Sequence, residues 1–159
     1  MGDLRSTGEA SRSERDCRPT AVAVIRVSAL GRPAPAQTGV LRQTCAALAQ
    51  QRLPCETVSD RAAAKGRVDG GTLVVGDHAF GCVVVPGATR VPLDLFRTLC
   101  RFAVAGGCLA FVEPAPMFGS SPQETEAIAA LWPGLLDAKR VARVATADGL
   151  PVVIRRWLT

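Results

Sequence analysis

The stretch Gly81–Pro116, GCVVVPGATRVPLDLFRTLCRFAVAGGCLAFVEPAP, decides how this chain is read. Cys82 to Val85 is a short, wholly apolar run that stops at Pro86-Gly87, as a buried central strand does. Pro92 suits a first helical turn, and Leu95, Phe96, Leu99, Cys100, Phe102 and Ala103 then recur on one helical face. Gly106-Gly107 ends that helix, because glycine takes the left-handed cap conformation at little cost. Cys108 to Val112 is a second apolar strand, and Glu113-Pro114-Ala115-Pro116 cannot continue it. Strand, helix and strand without a hairpin turn spell a right-handed crossover between parallel strands.

The same grammar extends in both directions. Upstream, Ala21 to Val27 is a β-branched strand, and Gly31, Pro33 and Pro35 make 28–35 a loop. A helix follows over 37–52, with Val40, Leu41, Cys45 and Leu48 on one face and Pro54 barring its continuation. Cys55 to Ser59 is a short second strand, and residues 66–75 form a hairpin about Asp69-Gly70. Downstream, Ser121 caps a helix opening at Pro122, with Glu124 three residues on. That helix is expected to reach Leu131 and stop at Pro133-Gly134. Val141 to Ala145 and Val152 to Trp157 both look β-like and would pair across Asp148-Gly149 as a terminal hairpin. The order is that of an open, mostly parallel, doubly wound α/β sheet of the flavodoxin-like kind.

Composition agrees with one globular domain. The chain has 159 residues, 48% apolar and 21% charged, and only 4% aromatic with no tyrosine, so its core is aliphatic. Residues 1–19 are polar, charged and without hydrophobic period, and read as a disordered leader before a single domain over 20–159. They hold no apolar stretch of signal type, and no run reaches the roughly 20 residues of a membrane span, which favours a cytoplasmic location. The net charge is +5, and its excess lies in the last 21 residues: Lys139, Arg140, Arg143, Arg155 and Arg156 against Asp148. A basic terminal hairpin would suit a polyanion, but with Trp157 as its one aromatic it lacks the stacking platforms of nucleic-acid sites.

Chemistry-bearing motifs are sparse. Cys17, Cys45, Cys55, Cys82, Cys100 and Cys108 include no C-x-x-C, and His78 is the one histidine, so no metal site is expected. Cys45, Cys82, Cys100 and Cys108 sit among apolar residues and read as small buried hydrophobes. There is no phosphate loop and no dinucleotide fingerprint, so no cofactor is expected. In open α/β sheets ligands sit beyond the carboxyl ends of the strands. That principle nominates loop 28–35, then Pro86, Gly87, Ala88 and Thr89, and then the segment led by Glu113 and Pro114 that runs to Phe118. Glu113 and Glu124 show no spacing that would set them across a glycosidic bond. Trp132 reads as core, and Trp157 as either core or a sugar-stacking residue.

Two pieces carry a family resemblance. Gly76–Pro86 has the form G-D-x-x-F-x-x-V-V-V-P, and Ala105–Val112 the form A-G-G-x-L-x-F-V. Together, and with gaps from Gly39 to Trp132, the sequence resembles the class I glutamine-amidotransferase-like domains that accompany catalytic barrels in glycoside hydrolases, such as the β-galactosidase trimerisation domain. The resemblance implies a non-catalytic accessory domain that serves oligomerisation or walls a carbohydrate site, partnered by a barrel domain or by itself. It also implies what is missing. Amidotransferases hold a nucleophilic cysteine on a G-x-C-x-G turn, whereas here the matching turn reads Glu113-Pro114-Ala115-Pro116, and His78 stands too early for the base. The chain is therefore expected to lack glutaminase activity. A free-standing small enzyme with a cysteine nucleophile, and a polyanion-binding module built on the terminal hairpin, are the alternatives.

Overall fold

A computed structural model describes residues 22–29, 32–33 and 35–158, and the side chains of 22–27 and 37–157. The proposed leader and Cys17 lie outside the described residues.

The β-branched run near the start forms β1 (Val22–Arg26), followed by a two-residue pair, β2 (Ser28–Ala29) with β3 (Arg32–Pro33). Helix α1 (Pro35–Gln50) leads to β4 (Cys55–Ser59) and a short α2 (Asp60–Ala64). An antiparallel ribbon follows: β5 (Arg67–Asp69), β6 (Thr72–Val75) and β7 (His78–Phe80). Its first turn places Gly70 and Gly71 at φ 55° and 81°, the two positive values that a tight hairpin turn requires. The deciding stretch appears as β8 (Cys82–Pro86), α3 (Leu93–Val104) and β9 (Cys108–Val112). The chain closes with α4 (Pro122–Leu136), β10 (Val141–Val144), a 3-10 turn (Ala147–Gly149) and α5 (Leu150–Leu158).

Five strands form one parallel sheet in the order β10-β9-β8-β1-β4. Counted along the chain this is the 2-1-3-4-5 order of flavodoxin-like folds, with the topological switch between β1 and β8. Side chains alternate across the sheet. Ala23, Ile25, Val83, Val85, Leu109 and Phe111 face the layer that contains Leu95, Phe96, Leu99, Phe102 and Trp132 of α3 and α4. Val22, Val24, Cys82, Val84, Cys108, Ala110 and Val112 face the layer with Leu48 of α1 and Leu150 and Ile154 of α5. A helix-covered sheet explains why its central strands are apolar throughout instead of alternating.

Two expectations are corrected. Helix α4 does not stop before Pro133 but runs on to Leu136. Proline leaves the carbonyl four residues back without its helical partner, yet Ala129 and Pro133 lie on the exposed face of the helix, not in the core. Trp132 and Leu135 meanwhile stay buried and hold the last turn down. There is also no terminal hairpin. Val141–Val144 is a parallel edge strand on β9, and the segment read as its partner is helix α5. Leu150, Pro151 and Ile154 are buried while Val152 is 63% exposed, a one-sided pattern of helical period. Pro151, in the first turn of that helix, was the sequence signal for it.

Candidate functional site

The switch point between β1 and β8 is where this fold class opens its ligand crevice. Here α1 occupies it. Gln37, 2% exposed, accepts from the Val27 N–H at 2.8 Å through Oε1 and donates to the Ile25 carbonyl at 3.0 Å through Nε2. It thereby completes the backbone pairing that β1 loses at its exit. Beside it, Gly87 leaves β8 at φ 58°, and a Cβ placed there would stand 2.9 Å from Cβ and Cγ2 of Val40.

The proposed loops divide accordingly. Pro86, Gly87 and Ala88 are buried, whereas Thr89 and Pro114 are exposed and Glu113 is half-buried. The exits of β8 and β9 are joined into one rim. Gly87 N–H donates to the Val112 carbonyl at 2.8 Å, and Met117 and Phe118 N–H donate to the Thr89 carbonyl at 2.9 and 3.0 Å. Val91 N–H returns to the Phe118 carbonyl at 2.9 Å, and the Arg90 guanidinium bonds the Gly119 carbonyl and lies 5.4 Å from the Phe118 ring centroid. Met117 and Phe118 remain 49% and 46% exposed on this rim.

Glu113 is held by a partner that the sequence reading missed. Arg143 of β10 donates from Nε to Oε2 at 2.6 Å and from Nη2 to Oε1 at 3.0 Å, and Ala115 N–H adds a bond to Oε1 at 3.1 Å. The Arg143 hydrogen bonds hold the Glu113 carboxyl below its ordinary range, which suits a fixed anion and not a proton donor. The same guanidinium lies 5.5 Å from the Trp132 ring centroid. The pairing was not legible earlier, because it forms across 30 residues between neighbouring parallel strands. With its pKa lowered on folding, Glu113 adds stability above the unfolded value, and that contribution disappears as pH falls through the folded one. Both side chains are partly exposed, at 43% and 35%, so solvent screens the pair. Glu113→Gln should therefore lower stability by less than about 1 kcal/mol at neutral pH. In urea titrations at stepped pH the gap should close below the ordinary glutamate value of 4.5. A gap that widens in acid would contradict the assignment.

Glu124 is equally committed. Its backbone N–H donates to Ser121 Oγ at 3.2 Å, while its Oε1 accepts from Ser120 N–H at 3.2 Å and Leu93 N–H at 3.1 Å, tying the starts of α3 and α4 together. His78 lies in β7 with Nδ1 3.3 Å from Glu56 Oε2, away from the rim.

Three of the described thiols lie at the other end of the sheet. Cys55, Cys82 and Cys108 each open a strand, and Val22 is in register with both Cys55 and Cys82, as Cys82 is with Cys108. Burial, then Cys45, pushes the Cys55 thiol up to about 11, and burial alone pushes Cys100 up to about 11. Burial also raises Cys82 and Cys108, the latter against the opposing pull of Arg140. Thiols shifted this way are poor nucleophiles at neutral pH. Native-state treatment with iodoacetamide, mapped by peptide mass spectrometry, should leave Cys82 and Cys108 unmodified until denaturant is added. Rapid native labelling of either would reopen the cysteine-enzyme reading.

Two open grooves lie elsewhere. One of about 630 Å³ lies between the ends of α3 and α4, near Val104, Gly106, Asp137 and Lys139. The other, of about 470 Å³, lies between α2 and α3. Among the described residues no cluster of three or more His, Cys, Asp or Glu side chains could hold a metal ion, and no helix is long and apolar enough to cross a membrane.

No protein-family model matches the sequence, and no curated protein matches it. Among solved structures, the fold is similar to part of a rhamnosidase from Novosphingobium sp. PP1Y, with a TM-score of 0.54 and 20% sequence identity. That likeness covers 88% of this chain but only 14% of the rhamnosidase. It establishes the fold: a mostly parallel α/β sheet of flavodoxin-like arrangement.

Proposed function

We propose that this chain is an accessory α/β domain of a glycoside hydrolase, one that supplies surface and not chemistry. The observation that carries the reading is the proportion of the structural likeness. Nearly the whole of this fold, 88%, matches a small part, 14%, of a rhamnosidase chain. The Gly76–Pro86 and Ala105–Val112 pieces, which resemble amidotransferase-like domains of glycosidases, point the same way. The carboxyl edge of the sheet supports it too. Glu113 and Glu124 are spent on structural bonds, and α1 fills the place where a small ligand would enter. What the edge offers is a rim carrying Thr89, Pro114, Met117 and Phe118, suited to packing on a barrel, on another copy, or along one side of a sugar site.

The genomic DNA on both sides of the reading frame tests this most directly. A continuing or adjacent frame that encodes a barrel with paired carboxylates is the expected result. Unrelated genes on both sides, or hydrolysis of aryl glycosides by the purified chain alone, would overturn the proposal.

A further inference from the structure

We infer that the groove between α2 and α3 docks an acidic protein segment through carboxylate contacts to Arg61, Lys65, Arg97 and Arg101. The inference does not depend on the glycosidase reading. All four cations are exposed and line one groove of about 470 Å³. They come as two pairs four residues apart, one pair at α2 and one on α3. Like charges at that spacing repel along a helix, a cost set against the favourable place of Arg61, Lys65 and Arg101 at the C-terminal ends of α2 and α3. The fold does not need these charges, because both helices are held by their apolar faces, as Ala63, Leu95, Leu99 and Phe102 show.

The two walls of the groove are also tied to each other. The Thr98 hydroxyl, on a residue 1% exposed, lies 3.1 Å from both the Ala64 and the Asp94 carbonyl oxygens and fastens α2 to α3. The same oxygen accepts from Arg101 Nη2 at 3.2 Å, which orients that guanidinium before any ligand arrives. Two carboxylates share the lining. Asp60 is buried and accepts from the Arg61 N–H at 2.9 Å, while Asp94 is exposed in the first turn of α3. Four cations therefore stand over two carboxylates. They are spread along two helices, a pattern that fits several single charges spaced along a chain better than one concentrated dianion. Guanidinium groups take carboxylates in two-point contacts. No aromatic side chain lines the groove, which removes the stacking surface on which single-stranded nucleic acid depends.

A fluorescein-labelled oligoglutamate peptide, followed by anisotropy at low ionic strength, tests the assignment, with heparin oligosaccharide and single-stranded DNA as comparison probes. The peptide should bind, and added salt should weaken it. Arg97→Glu/Arg101→Glu should weaken binding about tenfold or more. Because Arg101 also touches Thr98, Arg61→Glu/Lys65→Glu on the facing helix must have the same effect. Arg155→Glu/Arg156→Glu on α5 should leave binding within about twofold of the parent. Absence of binding, binding indifferent to both groove variants, or tighter capture of heparin or DNA through these residues would each overturn the inference.

Discussion

Replacing Phe111 by alanine should remove about 3–5 kcal/mol of folding free energy. Phe111 stands in β9 at 0% exposure, with its ring centroid 5.1 Å from that of Trp132 at 53°. Trp132 packs in turn on Phe96, at 5.4 Å. The loss combines the transfer of a phenyl ring, the cavity it leaves, and a tilted ring contact of about 0.5–1.5 kcal/mol. Against a typical domain stability of about 5–15 kcal/mol, such a change brings the chain close to unfolding. Urea titration should show a much lower midpoint at an unchanged slope. The damage should also reach the rim, because Trp132 Nε1 donates to the Pro116 carbonyl at 2.9 Å. A loss of under about 1 kcal/mol would mean that this layer repacks, against the close packing of ordinary interiors.

Gly87→Ala should cost about 2–5 kcal/mol, from two separable causes. One is backbone: φ 58° penalises any residue with a Cβ, by about 1–2 kcal/mol. The other is contact: the new methyl would overlap Val40, and overpacking of this kind costs about 1–3 kcal/mol. Gly76 separates them. Its φ is 60°, but nothing lies within 4 Å of an added Cβ, so Gly76→Ala should show the backbone cost alone. Val40→Gly combined with Gly87→Ala should then recover the contact part, measured as a double-mutant cycle, because it removes Cβ as well as both γ carbons from beside the new methyl. Equal effects at the two glycines, with no recovery in the double variant, would mean that α1 does not press on the exit of β8. The occupied switch point would then have to be abandoned.

Much of the fold was legible because it rests on local patterns. The run Cys82–Val85, the apolar face from Leu95 to Ala103 and the Gly106-Gly107 stop are each written within a dozen residues, and each appears where expected. The Ser121 cap was legible for the same reason. The errors fell where a local signal was outvoted. Pro133 reads as a stop, but burial of Trp132 and Leu135 carries α4 past it. Val152 and Ile154 alternate like a strand, yet Leu150 and Ile154 bury as a helix face under β9. With that hairpin goes the polyanion site built on it.

The candidate site was less legible than the fold. Sequence reading nominated loops by their position after strands, and the structure puts Thr89 and Glu113 on one rim while turning Ala88 inward. The Arg143 grip on Glu113, the Gln37 bridge to β1 and the four cations over α2 and α3 all join residues from separate elements. By itself, the sequence determined the strand–helix–strand order and the apolar faces that meet in the core, since hydrophobic period and turn chemistry act over short spans. Only the tertiary structure decided which loop residues are covered, which carboxylates are already paired and which cations share a groove. Those outcomes depend on strand order and helix placement, and they arise from packing between elements that no local pattern specifies.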